Sequence, residues 1–369
     1  MGEYENLRAR LEAPITRGDV RKVLHAALSE SDPWQWFGRA RVPFPYAMKI
    51  LTAMYEMDYL EYTAAQPARV TPRGESLARE LAVYASPDLR CPLCAGSGAD
   101  WHSLQAVYDE YVKIFRARPT FENPELNQGA MSPESLFRRL ALMIHQGDII
   151  GKTIAVLGDD DYVSIALALA RFPAQVTVFE IEPGICEYIE KIAAERNLEI
   201  RVQLQDLTKK FPPGLVGTFD TFVCDPPEAA SGLLLFVEKG LTLLKAGDGH
   251  AGYFGATIME ASATKWKQWQ MKILGDYRVL YTHISQPFTV YEPWSFEVPY
   301  PEVPALQELP PADALWYRFA FNRIETLPDF EPAPDFETEL ARYFYYDDEG
   351  EYPGWSTPPA DPSQQRGTT

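Results

Sequence analysis

The chain has 369 residues, a formal charge of −18 and a hydrophobic fraction of 46%. That length exceeds a usual single domain, so two domains with appendages are expected. The acidity argues against a nucleic-acid backbone as partner and suits a cationic ligand. No apolar run approaches the ~20 residues that span a bilayer, and the start MGEYENLRAR lacks a signal-peptide core. A cytoplasmic location without a membrane partner is expected. The chain has 4 cysteines, and Cys186 and Cys224 lie in apolar contexts, which does not suit a disulfide framework. The 31 prolines and scarce asparagines are a composition met in thermophile proteins.

Residues 1–90 read as helical. Leu24-His-Ala-Ala-Leu28 and the stretch Tyr46 to Tyr55 space apolar residues by three and four. Leu60-Glu-Tyr62 and Ala68-Arg-Val-Thr71, before Pro72-Arg-Gly74, suit a two-stranded wing. A helical, winged-helix-like N-terminal domain is therefore expected. Its candidate second helix offers Lys49, with Glu56 and Asp58 close behind, whereas base readout wants Arg, Lys, Asn or Gln. The module is read as one for dimerisation or substrate covering, with a homodimer as the expected assembly. Cys91-Pro-Leu-Cys94 has the form of a metal knuckle. Tetrahedral zinc needs four ligands, and beyond His102 no second cysteine pair follows. Residues 91–130 are read as an interdomain turn and a linker helix, Leu104 to Phe115, holding no metal.

From residue 131 to 300 strands and helices alternate. Ser132-Pro133-Glu134 caps a helix that runs to His145. Ile154-Ala-Val-Leu157 reads as a buried parallel strand, Gly158 as a sharp turn, and Asp159, Asp160 and Asp161 as a loop before an apolar helix, Val163 to Ala170. In open α/β sheets ligands bind at the carboxyl ends of strands, where this loop lies. One Asp would serve the helix dipole, for ~0.3–1 kcal/mol; three in a row would also repel an anion and attract a cation. The next strand, Gln175 to Phe179, closes on Glu180 and Glu182, about 20 residues after the glycine, where a ribose diol is usually held. Asp206, after the strand Ile200 to Leu204, is placed to receive an adenine amino group. A further strand delivers Asp225-Pro226-Pro227-Glu228. The prolines stiffen its exit, and the carboxylate can orient an amine. A helix from Gly232 to Leu244, a strand near Gly252-Tyr-Phe254, a helix from Ala261 to Leu274 and a strand pair at 277–282 and 286–290 follow. The expected fold is α/β, a doubly wound sheet of class-I methyltransferase (Rossmann-like) type.

Residues 301–369 are acidic, aromatic-rich and free of lysine. The run Tyr343-Phe-Tyr-Tyr-Asp347-Asp348-Glu349 can pair ammonium groups with carboxylates and aromatic faces. It is read as a substrate clamp, and the end after Ser356 as flexible.

The GDDD run after the first strand, DPPE after the fourth and the turn Asn127-Gln128-Gly129 together resemble the branched-chain polyamine synthases, over about residues 120–300. The resemblance implies transfer of aminopropyl groups to the internal N4 secondary amine of spermidine. It implies decarboxylated S-adenosylmethionine as co-substrate, methylthioadenosine as product and no tightly bound cofactor. It makes Asp159 the catalytic residue and adds Gln128 and Glu228 to the substrate site. The residues agree. S-adenosylmethionine carries a carboxylate that would face three acids, whereas the decarboxylated donor presents an ammonium and a sulfonium. A carboxylate within reach of the attacking amine stabilises its developing charge and takes its proton. Asp159 is the expected base, with Asp160 and Asp225 positioning the amine. Two rivals remain: an amino methyltransferase using S-adenosylmethionine, for which Asp-Pro-Pro speaks, and a polyamine-sensing winged-helix regulator.

Overall fold

The computed structural model describes residues 2–11, 15–63, 66–86, 98, 100–119, 126, 128–292, 315–339, 344, 345 and 347. Cys91, Cys94, Asn127, Asp348 and Glu349 lie outside these residues. The helices α1 (Glu3–Arg8), α2 (Arg17–Ser29), α3 (Pro33–Ala40) and α4 (Phe44–Glu56) come first. Their starts follow from local chemistry. Thr16 and Asp19 form a reciprocal capping box before α2, and Asp32 accepts from the Trp34 N–H with Pro33 opening α3. The strands β1 (Leu60–Thr63) and β2 (Gln66–Val70) form an antiparallel hairpin, followed by α5 (Pro72–Leu81). After α6 (Gln105–Arg116) the α/β part begins with α7 (Pro133–His145), β3 (Thr153–Leu157), α8 (Val163–Ala170), β4 (Gln175–Glu180) and α9 (Pro183–Arg196). It continues through β5 (Ile200–Leu204), β6 (Thr221–Cys224), α10 (Ala230–Leu243), β7 (Ala251–Ala256), α11 (Ala263–Asp276), β8 (Val279–Val290) and β9 (Arg318–Thr326).

Among the described residues the main sheet has 7 strands, in the order β5-β4-β3-β6-β7-β9-β8. Strands β5 to β7 are parallel. β9 runs antiparallel to both β7 and β8. The order reverses between β3 and β6, which puts the loop after β3 and the turn after β6 side by side at one crevice. Leu157 pairs with Cys224 in register, so Gly158 and Asp225 leave the sheet at the same level.

The division at 300 needs correction. Chain beyond it supplies β9, which sits inside the sheet, and the expected strand pair at 277–290 is one irregular strand, β8, whose partner is β9. Asn322 and Arg323 interrupt the apolar pattern of β9, which hid it from periodicity. Both are paired in the fold: Asn322 Nδ2 donates to Phe254 O at 3.2 Å, and Arg323 Nε donates to Asp148 Oδ2 at 2.8 Å. Nor do residues 1–90 keep a core of their own. One apolar cluster runs from Trp36, Phe37 and Phe44 through α6 and α7 to Phe319 and Phe321. Trp316 stacks on Phe44 at 5.4 Å between centroids, and Gln35 Nε2 donates to Leu315 O at 3.2 Å. The second cluster packs α10 and α11 on the other face. Among the described residues no helix is long and apolar enough to cross a membrane.

If β9 is integral to the sheet, truncating one of its core residues should destabilise the whole α/β part. Ile324 is 1% exposed, and Ile324→Ala should cost ~2–5 kcal/mol of unfolding free energy, read as a lower denaturant midpoint. An unchanged midpoint would mean that the C-terminal region is an appendage after all.

Candidate active site

Gly158 (φ 70°) makes the turn out of β3, and Tyr162, also left-handed at φ 54°, returns the chain into α8. The three acids between them have different jobs. Asp159 is 1% exposed. Its carboxylate accepts from the Ser164 N–H at 3.3 Å and from the Ser164 hydroxyl, which satisfies the first turn of α8. Burial, and behind it the Glu180 charge, holds its pKa well above the usual carboxylate range against those bonds. Asp159 does not line the cleft.

Asp160 and Asp161 do. Asp160 accepts from the Gly129 N–H at 3.3 Å, and Asp161 from the Met131 N–H at 2.6 Å. The segment carrying Gln128, itself 9% exposed, thus anchors to the acid loop through its neighbours' backbone. From β6 come Asp225, Pro226 and Glu228, and from the chain after β7 comes Glu260; Tyr291, Tyr317 and Phe319 complete the wall. Glu228 accepts from the Thr257 N–H at 3.2 Å. Asp225 accepts from Arg139 Nη2 at 3.2 Å and from the Tyr291 hydroxyl.

The crowding raises proton affinity throughout. Burial, then the Asp161, Glu180 and Asp225 charges, drives Asp160 well above the carboxylate range. Burial and the Asp225 charge push Asp161 up to about 8, opposed by the Met131 N–H and by Arg139. Glu228 is raised by burial and by Glu260 and Asp225, with Lys265 opposing. At an effective dielectric of ~20, two charges 4 Å apart repel by ~4 kcal/mol, more than a helix cap returns. Five carboxylates facing one cleft are therefore a site for cations rather than a capping cluster.

The acids expected to hold the nucleoside lie along the other side of the β3 loop. Glu180, 2% exposed, accepts from the Asp159 N–H at 2.7 Å and the Glu182 N–H at 2.8 Å. Glu182 caps α9 through the Gly184 N–H at 3.4 Å, and Asp206 accepts from the Thr208 N–H and hydroxyl at 2.8 and 2.7 Å. Tyr345 sits near enough to Asp206 and Glu180 that, after burial, their charges help push its hydroxyl up to about 12. Asp347, expected to clamp substrate, accepts instead from Lys265 Nζ at 2.7 and 2.9 Å and from the Ala230 N–H at 3.1 Å.

Glu260, Arg139, Tyr317 and Phe319 were not singled out from sequence. Glu260 follows β7 just as Asp160 follows β3 and Asp225 follows β6, so the strand-end rule reaches it. Tyr317 and Phe319 arrive with β9, which was not foreseen. Among the described residues no group of three or more His, Cys, Asp or Glu has a metal-holding arrangement.

A doubly wound sheet with an acid-lined cleft at its switch point defines a class of small-molecule transferase sites suited to a cationic co-substrate. The family model of the branched-chain polyamine synthase A C-terminal domain matches residues 106–352, and the chain belongs to that family. The N(4)-bis(aminopropyl)spermidine synthase of Methanocaldococcus jannaschii is 32% identical over 91% of this chain and 96% of its own length. That of Thermococcus kodakarensis is 32% identical over 94% and 97%. The crystal structure of the Thermus thermophilus branched-chain polyamine synthase, in complex with N4-aminopropylspermidine and 5'-methylthioadenosine, superposes with a TM-score of 0.79. It is 28% identical, covering 95% of this chain and 97% of that one.

The raised pKa of Asp161 has a stability consequence. A carboxyl that titrates near 8 in the folded chain and at its ordinary value when unfolded binds its proton more tightly in the fold. Its contribution is present in acid and is lost as pH rises through about 4 to 8. Asp161→Asn should therefore flatten the fall of ligand-free Tm over that range, with Asn still accepting from Met131. Parallel Tm–pH curves for the two proteins would show that Asp161 is not a titrating group there.

Proposed function

We propose that this chain transfers aminopropyl groups from decarboxylated S-adenosylmethionine to the internal amine of spermidine, giving N4-aminopropylspermidine, N4-bis(aminopropyl)spermidine and methylthioadenosine. The observation that carries the reading is the set of five carboxylates, Asp160, Asp161, Asp225, Glu228 and Glu260, around one cleft. The names of the relatives and the two molecules bound in the Thermus thermophilus structure support it. The family membership supports an adenosyl-type co-substrate; the cleft favours the decarboxylated form, because a donor carboxylate would face Asp160 and Asp161.

The unprotonated N4 nitrogen attacks the methylene carbon bonded to sulfur. The carbon–sulfur bond breaks, its electron pair stays on sulfur as a neutral thioether, and nitrogen becomes an ammonium that gives up its proton. Asp160 is the acceptor in this proposal, in place of Asp159. It opens onto the cleft, and its like-charged surroundings raise its basicity toward the working pH. Asp159 holds the start of α8, and Glu180 ties that loop to the nucleoside side. Asp161, Asp225, Glu228 and Glu260 hold the remaining ammonium groups, with Gln128 setting the Gly129 backbone against Asp160. Glu180, Glu182 and Asp206 hold the adenosyl group, Gly158 letting it approach and Pro226 bounding it.

Incubation with spermidine and each donor separately, followed by mass spectrometry, tests the reaction. Aminopropyl addition with the decarboxylated donor is expected; methyl addition from S-adenosylmethionine would replace this reading by its rival. Asp160→Asn should lower kcat by roughly 10²–10⁴, and Asp159→Asn by much less. The reverse order would return the base to Asp159. Activity should climb on the alkaline side of neutrality, because the attacking N4 amine must be unprotonated and Asp161 must ionise; an optimum near pH 5–6 contradicts the mechanism.

A further inference from the structure

Behind a cleft that gathers carboxylates stands a buried guanidinium. Arg139 is 3% exposed and does not line the cleft. Its Nε donates to Thr289 Oγ1 on β8 at 2.7 Å, and its Nη2 to the two oxygens of Asp225 at 3.3 and 3.2 Å. The guanidinium carbon lies 4.7 Å from the centroid of the Phe321 ring. The backbone of β7 passes so close that a Cβ on Gly255 would come within 1.7 Å of Asp225 Oδ1 and 3.2 Å of Arg139 Nη2. Three strands and one helix thus converge on a single ion pair whose acid faces the cleft.

A buried ion pair is a poor device for stability alone, since apolar side chains of similar volume often replace one without loss. Here the pair has a particular setting. Asp225 faces Asp161 and Asp160 from the loop after β3, Glu228 from its own turn, and the Tyr291 hydroxyl from the end of β8. Burial and like charges favour a proton on this group, and a protonated acid holds an ammonium far less well than an ionised one. We infer that Arg139 is a positioning residue for aminopropyl transfer, keeping Asp225 ionised and aimed into the cleft before the polyamine arrives. This rests on the polyamine reading of the site. The direction of the Asp225 pKa agrees: burial raises it and Arg139 opposes the rise.

The test is calorimetric binding of spermidine at pH 7 to the full chain, in two buffers of different ionisation enthalpy, alongside the pH profile of kcat/KM for spermidine. In Arg139→Met, Asp225 starts protonated and must ionise on binding. That variant should release about one more proton per spermidine than the parent, and its acid limb should move up by about one pH unit. Arg139→Lys keeps the charge and should restore both values. Arg139→Met in an Asp225→Asn background leaves no unpaired buried charge, which protects folding. There the Arg substitution should change proton release little, because the group it acts through is gone. Equal proton release and an unmoved acid limb in Arg139→Met, or a Lys variant as impaired as Met, overturns the inference. A parent that binds spermidine with the expected variant differences, yet makes no aminopropylated product, overturns the transfer reading alone.

Discussion

Mutual repulsion among carboxylates is the constraint on which this molecule turns. Five of them face one cleft at the carboxyl edge of the sheet, and two more, Asp159 and Glu180, lie just behind the β3 loop. Their burial is affordable only because each is tied down: Asp159 by Ser164, Asp161 by the Met131 N–H, Glu180 by two backbone amides, Asp225 by Arg139. The crowding raises the proton affinity of Asp160, Asp161 and Glu228, and under the proposed function a polycation entering the cleft would relieve it. Binding and ionisation would then be linked.

Much of this was legible from residues alone. The order of strands and helices from 131 to 276 followed from apolar runs bounded by Gly, Pro and Asp. The acid run after β3 and Asp225-Pro226-Pro227-Glu228 after β6 fell on the two strands that flank the switch point. Assigning roles within the acid run was not possible in the same way. Asp159, Asp160 and Asp161 are chemically identical, and only the φ values of Gly158 and Tyr162 decide which carboxylate faces the helix and which face the cleft. β9 escaped because its buried polar residues, Asn322 and Arg323, donate to partners distant in sequence, Phe254 and Asp148. Periodicity cannot see such partners. Arg139 escaped for a similar reason: an Arg on an amphipathic helix reads as solvated until its acid is located.

The N-terminal helices and the C-terminal chain act on the site from opposite sides. Trp34, Phe37 and Phe44 pack on Trp316, one residue before Tyr317 of the cleft wall. The Phe44 N–H donates to Met259 O, one residue before Glu260. The module thus buttresses both the aromatic and the acidic wall, and none of its described residues lines the cleft. On the other side, Asp347 joins α10 to α11 through the Ala230 N–H and Lys265. Lys265 also opposes the rise in proton affinity at Glu228. Substituting Asp347 would consequently disturb the charge of the cleft through Lys265 even if Asp347 never touched a substrate, so loss of activity alone cannot assign it a clamp role.

The placement of the acids also suits the direction in which charge moves. In aminopropyl transfer a positive charge leaves sulfur and appears on nitrogen, so the total does not change; its centre shifts by a bond length or two. A uniformly acidic pocket would hold the donor sulfonium as firmly as the product ammonium and would gain nothing in the transition state. The acids differ in how far they are engaged. On the proposed nucleoside side Glu180 and Asp206 each accept two bonds within 2.8 Å, which spreads their charge. On the proposed amine side Asp161, Asp225 and Glu228 are engaged by Met131, Arg139 and Thr257, whereas Asp160 accepts one bond, from Gly129 at 3.3 Å. With Asp160 as the proposed proton acceptor, charge would move toward the least engaged acid of the β3 loop, and the fixed charges around it would need no reorganisation.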